Sequence, residues 1–112
     1  MKKNRHNSEH YIWGDNFSGW HLVKSQTLSV IEELMPPFTK EDRHYHENAQ
    51  QFFKILDGTA TFEIDDKIIE VNSDDGIHIL PRKRHSIRNN QSENLVFLVI
   101  SKPSTRGDRM NE

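Results

Sequence analysis

The sequence has no cysteine among its 112 residues, which excludes disulfides, thiolate catalysis and zinc fingers. No uninterrupted apolar run approaches the ~18 residues that a membrane span needs. The basic start of the chain is not followed by the apolar segment of a signal peptide, and the net charge of −2 gives no general attraction to nucleic acid. These absences predict a cytoplasmic protein that binds neither membranes nor nucleic acid.

What the sequence does contain is a series of short strand patterns separated by turn residues. We expect one domain, with an N-terminal arm (residues 1–26), a barrel (27–101) and a polar tail (102–112). Strands spaced about 8–12 residues apart predict an all-β sandwich or barrel, and no βαβ alternation or heptad repeat competes with that interpretation. The predicted strands are 27–34, 44–56 (as one or two strands), 60–64, 67–71, 77–80, 85–89 and 95–100.

Two histidines with one residue between them suggest a metal site. Side chains two positions apart on a strand project from the same face, so His44 and His46 point together, about 7 Å apart at Cα. Gln51 shares the inward phase of the next strand, and a later strand supplies His85. Three imidazoles and an amide oxygen could form a four-ligand site with open positions, although exposed strand histidines would give the same spacing.

The spacing from Phe38 through His44, His46 and Gln51 to Gly58 resembles the first motif of the cupin superfamily, G-x5-H-x-H-x3,4-E-x6-G. Two residues differ from that motif. Phe38 replaces the first glycine, and Gln51 replaces the glutamate. Glycine at such a position permits a positive φ angle, so the replacement at Phe38 questions the shape of that turn but not the ligands.

A second stretch, from Asp74 through Leu80, Arg82 and His85 to Asn89, resembles the second cupin motif, G-x5-P-x-G-x2-H-x3-N. It keeps the histidine and the asparagine and loses the proline and both glycines. The resemblance implies a cupin-type β-barrel (a double-stranded β-helix or jelly roll), a small-molecule ligand inside it and a homodimer. It also implies that a divalent transition metal (Zn, Fe, Mn or Ni) is held by His44, His46, Gln51 and His85.

Glutamine in place of glutamate leaves the predicted ligand set without a negative charge. A less neutralised metal polarises a bound oxygen more strongly, so we favour Lewis-acid chemistry of the isomerase, lyase or cyclase type. The alternatives are a non-catalytic ligand-binding or sensing cupin and an Fe- or Mn-dependent dioxygenase. The catalytic residues are unassigned: Glu32, Glu33 and His78 are conceivable general acids or bases, but a structural or exposed position is the simpler interpretation of each.

The alternation of residues also predicts which side chains face inward. Phe52 and Leu56 should point outward and offer apolar surface for a dimer, and Tyr45 should face away from the metal. The residues expected to line or fill the interior are Phe53, Ile55, Phe62, Ile64, Ile87, Phe97 and Val99.

Overall fold

Two antiparallel sheets form the fold in the computed structural model, which describes residues 1–111. A short 3-10 helix, Arg5–Asn7, precedes the first strand. The strands are β1 (Glu9–Trp13), β2 (Phe17–Lys24), β3 (Ser29–Met35), β4 (Thr39–Lys40), β5 (His44–His46), β6 (Gln50–Asp57), β7 (Thr59–Ile64), β8 (Lys67–Asn72), β9 (Gly76–Ile79), β10 (His85–Asn89), β11 (Leu95–Lys102) and β12 (Arg109–Asn111). Within residues 1–111, no helix is long and apolar enough to cross a membrane.

The order of the strands is that of a double-stranded β-helix. One sheet runs β1-β2-β3-β11-β6-β9, and the other runs β12-β5-β10-β7-β8 with β4 added beside β10. Consecutive strands alternate between the sheets over much of the chain, so side chains from segments that are close in sequence can meet in the space between the sheets. The prediction of an all-β jelly-roll barrel is confirmed.

Side-chain alternation fills the space between the sheets with apolar residues. On β6, the inward Phe53 and Ile55 are buried, whereas the outward Phe52 and Leu56 are 38% and 41% exposed, as predicted. Val99 of β11 pairs with Phe53. The other residues predicted to lie inside are also buried or packed against the core, namely Phe62, Ile64, Ile87 and Phe97.

The two termini belong to the sheets. The segment predicted as an arm forms β1 and β2, which pair with each other and join the first sheet through β3. Part of the predicted tail forms β12, which pairs with β5. Both pairings continue an exposed sheet edge, where unpaired backbone groups favour the addition of a strand.

The turns that lack the expected glycines keep a left-handed backbone. Phe38, Asp74 and Arg82 have φ angles of 57°, 74° and 67°, in the region that glycine adopts without a steric penalty. The substitutions therefore leave the turn shapes intact and add local strain, which is greatest for a bulky residue such as Phe38.

Candidate metal centre

Three histidines from two strands of the same sheet meet between the sheets. His44 and His46 lie on β5, and His85 lies on β10 directly opposite His44. All three are buried, and one potential ligand atom from each lies within 4.8 Å of the other two. The pairing of β5 with β10 therefore brings together side chains about 40 positions apart in the chain, as the sequence predicted.

Backbone carbonyls fix the orientation of two of the imidazoles. His44 Nδ1 lies 2.8 Å from the Asp42 carbonyl oxygen, and His85 Nδ1 lies 2.8 Å from that of Lys83. Since a carbonyl can only accept, Nδ1 carries the proton in both rings and Nε2 is left free. This is the usual arrangement of a histidine that binds a metal through its other nitrogen.

The site keeps its histidines neutral. Burial and, to a smaller extent, the neighbouring His85 lower the pKa of His44 to about 3. Burial, again assisted by His85, lowers the pKa of His46 to about 4, and burial lowers the pKa of His85 as well. Neutral imidazole is the form that binds metals.

Gln51 reaches the same space from β6 of the opposite sheet. Its Nε2 donates a hydrogen bond of 3.1 Å to Ser101 Oγ on the neighbouring β11. Its Oε1 is buried and has no hydrogen-bond partner among residues 1–111. The bond to Ser101 thus fixes the amide with its oxygen free to act as an acceptor or ligand.

These residues fit a divalent transition metal. His46 Nδ1, His85 Nε2 and Gln51 Oε1 are buried polar atoms without partners in the described chain, and such atoms are rare in the absence of a function. Two nitrogens about 2.1 Å from one ion lie at most about 4.2 Å apart, so small ring rotations close the observed spacing. Imidazole and amide donors suit transition metals and do not select one of them.

A cavity of about 230 Å³ opens beside His44 and His46. Its apolar wall comes mainly from the first sheet and includes Trp13, Ile31, Phe53, Phe97 and Val99. Its polar lining, besides His44, His46 and Gln51, includes Tyr11, Glu33, Glu41, Ser101, Thr105 and Arg109. An apolar enclosure with a few placed polar groups is typical of a small-molecule site.

Two glutamates of this cavity are buried. Burial raises the pKa of Glu33 to about 7, against the opposing influence of the Trp13 indole and Arg109. Burial raises the pKa of Glu41 to about 8, with a further contribution from Glu33. Glu41 also lies 3.9 Å from His44 Nδ1 and 3.9 Å from Arg109 Nη1, so it belongs to the surroundings of the histidine cluster.

The tail closes one side of the cavity. Arg109 pairs with His46 in the register of β12 and β5, and its guanidinium lies 5.8 Å from the centre of the Trp13 ring. The Asp108 carboxylate accepts hydrogen bonds from the backbone amides of residues 47–49. From the sequence these positions were expected to form part of a polar tail, so their contribution to the site was not predicted.

Other residues singled out in the sequence lie elsewhere. Tyr45 points away from the histidines, as predicted, with the Arg84 guanidinium 4.6 Å from its ring centre. Asn89 Nδ2 donates to the carbonyl of Met35 and to neighbouring carbonyls, which is a structural role. His78 is exposed and bonds to Gln50 on the outside of the sheet.

The sequence carried a signal for the inward position of Glu33, which was named as a conceivable acid or base but expected to be structural or exposed. Glu33 shares its face of β3 with Ile31 and Met35, which alternate with it at a spacing of two, so strand phase alone places its carboxylate inside. Glu41 follows the short β4 in an irregular segment, where alternation gives no prediction. Its inward position is set in the folded structure, where the backbone amide of Glu41 donates a hydrogen bond to the Ile87 carbonyl.

The arrangement defines a class of protein: a double-stranded β-helix with a three-histidine cluster beside a partly open cavity. The family model described as the cupin domain matches residues 31–101, which is more than half of the chain. The protein therefore belongs to the cupin family. No protein of curated function matches the chain in sequence.

Solved structures share the fold at low sequence identity. A predicted oxalate decarboxylase from Thermotoga maritima has a TM-score of 0.85 and 18% identity, over 93% of this chain and 100% of that one. A cupin-superfamily sugar phosphate isomerase from Silicibacter pomeroyi has a TM-score of 0.81 and 20% identity, over 93% of this chain and 76% of that one. The polyketide cyclase RemF from Streptomyces resistomycificus has a TM-score of 0.80 and 17% identity, over 93% of this chain and 80% of that one.

Proposed function

We propose that this protein is a metal-dependent enzyme that rearranges a small molecule by isomerisation, elimination or cyclisation. Its metal ligands are His44, His46, Gln51 and His85. The observation that carries the proposal is the buried Gln51 Oε1, which lacks a hydrogen-bond partner in the described chain and belongs to a residue that lines the same cavity as His44 and His46. An amide held in this way by Ser101 is better explained as a ligand than as core packing.

The ligand set favours chemistry without a change of oxidation state. Because all four donors are neutral, a divalent ion held there keeps its positive charge and supplies Lewis acidity toward an oxygen atom of the bound molecule. No anionic ligand offsets the extra charge of a higher oxidation state. The three similar structures are named for decarboxylation, isomerisation and cyclisation, which agrees with this choice, although their likeness to this chain extends only to the fold.

The residues around the ligands select and orient the molecule. The aromatic and aliphatic wall excludes water and favours a compact, partly apolar molecule. Arg109 offers a positive charge beside Glu41 at the tail side. The same enclosure strengthens every electrostatic interaction in the cavity, since the local dielectric constant is lower than that of water.

Metal analysis of the purified protein tests the proposal. We expect about one divalent ion per chain in the wild type, as in a four-ligand site, and little in His85→Ala. The matched control is His78→Ala, which removes an exposed histidine on the outside of the sheet and should leave the metal content unchanged. Equal metal content in the wild type and His85→Ala would contradict the proposed site.

A panel of small carbonyl compounds and hydroxy acids, assayed with the metal-loaded protein by NMR, tests the catalytic part. Conversion without consumption of oxygen supports the proposal. Oxygen uptake coupled to conversion would instead indicate a dioxygenase, and binding without conversion of any compound would indicate a ligand-binding protein.

A further inference from the structure

The Glu33 carboxyl group is buried in the cavity without a fixed hydrogen-bond partner for one of its oxygens. Glu33 is 7% exposed and lines the same cavity as His44 and His46, and its Oε2 is one of the buried atoms that lack a hydrogen-bond partner among the described residues. An isolated buried carboxyl group destabilises a fold, because it loses its hydration without a compensating bond. Such a cost is more often retained at a functional site than in a core.

The size of the cavity brings a bound molecule to Glu33. At about 30 Å³ for each water molecule in the liquid, the 230 Å³ of the cavity holds roughly seven or eight non-hydrogen atoms. A molecule of that size which touches the histidine cluster fills most of the space. It must then also contact the Glu33 wall on β3.

The charged neighbour that could neutralise Glu33 is engaged elsewhere. Arg109 reaches the cavity from β12, but its Nη1 lies 3.9 Å from Glu41 Oε2 and its Nη2 donates to the Asp42 carbonyl oxygen over 3.4 Å. Tyr11 of β1 also faces this side of the cavity, and Glu33 raises the pKa of its phenol, after the larger effect of burial. The phenol therefore stays protonated, whereas Glu33, like Glu41, can change its charge near neutral pH.

The protonation of Glu33 is suited to proton exchange near neutral pH. Burial raises the pKa of its carboxyl group well above that of an exposed glutamate, while Trp13 and Arg109 oppose the shift. A general acid or base works best when its pKa lies close to the working pH. The geometry of the cavity and the chemistry of the residue thus agree.

We infer that Glu33 is the residue that moves protons on a small carbonyl compound held in the cavity, an inference that rests on the function proposed above. Ionised Glu33 takes a proton from a carbon next to the carbonyl. The C–H electron pair forms a carbon–carbon double bond, and the carbonyl π pair moves to its oxygen. Protonated Glu33 then returns the proton to another atom of the same molecule. The balance is an isomerisation that needs no oxidant or reductant.

Deuterium exchange with two defined probes tests this assignment. Metal-loaded protein is incubated in D2O with dihydroxyacetone or pyruvate, and the loss of the C–H signals is followed by ¹H NMR. We expect the wild type to exchange at least one probe and Glu33→Gln to exchange it at least about 100-fold more slowly, the lower range of general acid–base catalysis. Glu33→Asp keeps the carboxyl group but withdraws it by one methylene, so its exchange rate should lie between those of the wild type and Glu33→Gln.

The matched control is Glu32→Gln, on the same strand. Glu32 faces away from the cavity and is ion-paired with Arg5, so its variant should exchange at the wild-type rate. The exchange rate of the wild type should also fall at low pH as Glu33 is protonated. This decrease at low pH should be absent from the pH profile of Glu33→Gln. Circular dichroism and metal content establish that each variant is folded and loaded.

Two outcomes overturn the inference: a folded, loaded Glu33→Gln that exchanges as fast as the wild type, or a loaded wild type that exchanges neither probe. The visible absorption of the Co(II)-substituted protein separates this failure from failure of the proposed function. A change of the absorption on adding pyruvate, in both the wild type and Glu33→Gln, would keep the metal and oxygen-ligand part of that proposal while Glu33 is rejected. Failure of the wild type to bind Co(II) would reject the site itself.

Discussion

The Asp108 carboxylate accepts a hydrogen bond of 2.9 Å from the backbone amide of Ala49, a residue 59 positions earlier in the chain. The same carboxylate accepts bonds from the amides of Glu47 and Asn48. Desolvation raises the pKa of Asp108, but these bonds outweigh it and the net pKa is lowered. The loop they hold joins His46 to the strand that carries Gln51, so the tail fixes the distance between two candidate ligands.

We therefore expect Asp108→Ala to weaken both the fold and the metal site. Loss of several bonds to a charged acceptor should lower the free energy of unfolding by about 1–2 kcal/mol and reduce metal affinity, since the loop between two ligands is released. Urea unfolding and metal titration measure the two effects. Arg106→Ala, at an exposed position of the same tail, should change neither. Unchanged metal affinity in Asp108→Ala would show that the loop is held by other contacts.

Gln51→Glu should keep the metal but weaken the binding of anions. The new carboxylate can still pair with Ser101, whose hydroxyl can donate to it, and it adds a negative charge to the ligand set. We expect tighter metal binding and at least about ten-fold weaker binding of pyruvate, because the added carboxylate and pyruvate carry like charges, which repel by several kcal/mol at a few ångströms and the dielectric of a partly buried site. Co(II) titration gives the metal affinity, and pyruvate titration of the Co(II) protein gives the pyruvate affinity. Gln50→Glu, at the exposed neighbouring position, is the matched control, and equal pyruvate affinity in the two variants would argue against the charge effect.

The sequence predicted the features that depend on strand phase and on local spacing. Alternation correctly placed Phe53 and Ile55 inside and Phe52 outside, because the side-chain period of a strand is fixed by backbone geometry. The same period puts His44 and His46 on one face, whereas His85 was placed beside them by the resemblance to the second cupin motif. The metal that they and Gln51 are predicted to hold stays a prediction.

Features that depend on long-range pairing were beyond the sequence. The continuous apolar run 95–100 is consistent with burial on both faces, whereas on β11 Leu95, Phe97 and Val99 are buried and the alternate residues are partly exposed. A continuous apolar run does not reveal that one face of the sheet lies at the surface. Likewise, nothing local in the tail indicated that Arg109 would pair beside His46, since sheet edges accept strands from any part of the chain.

The metal-free protein should be most stable near pH 6.5. Below that pH the unfolded chain protonates histidines that the fold keeps neutral, with pKa values of about 3 for His44 and about 4 for His46, so stability falls on acidification. Above pH 4.5 the unfolded chain ionises two glutamates that the fold keeps protonated, because their pKa values in the fold are about 7 for Glu33 and about 8 for Glu41. The contribution of these glutamates to the free energy of unfolding therefore falls as the pH rises. The stabilising effect of raising the pH on the three histidines, which include His85, outweighs the opposing effect of the two glutamates up to pH 6.5. Above that pH the histidines are neutral in both states and contribute no further change.

Urea unfolding of chelator-treated protein between pH 4.5 and 8.5 checks this profile. Each group contributes a slope of about 1.4 kcal/mol per pH unit while it titrates differently in the two states. Glu33→Gln should flatten the decline between pH 6.5 and 7 and steepen the rise between pH 4.5 and 6.5, because Glu33 opposes the histidine effect over that range. Stability that rises steadily from pH 6.5 to 8 would mean that the two glutamates are ionised in the fold.

Phe38→Gly should stabilise the protein, because the strained turn at this position suits glycine. Phe38 has a φ of 57° and is 70% exposed, so it has left-handed strain of about 1–2 kcal/mol and little packing to lose. The greater entropy of glycine in the unfolded chain offsets about 0.5–1 kcal/mol, which leaves a gain of about 0.5–1 kcal/mol in the free energy of unfolding. Asp74→Gly, at a φ of 74°, is the comparison: aspartate tolerates this conformation better, so its gain should be smaller. Urea unfolding at one pH ranks the two variants, and a loss of stability in Phe38→Gly would show that its aromatic ring contributes packing that outweighs the backbone strain.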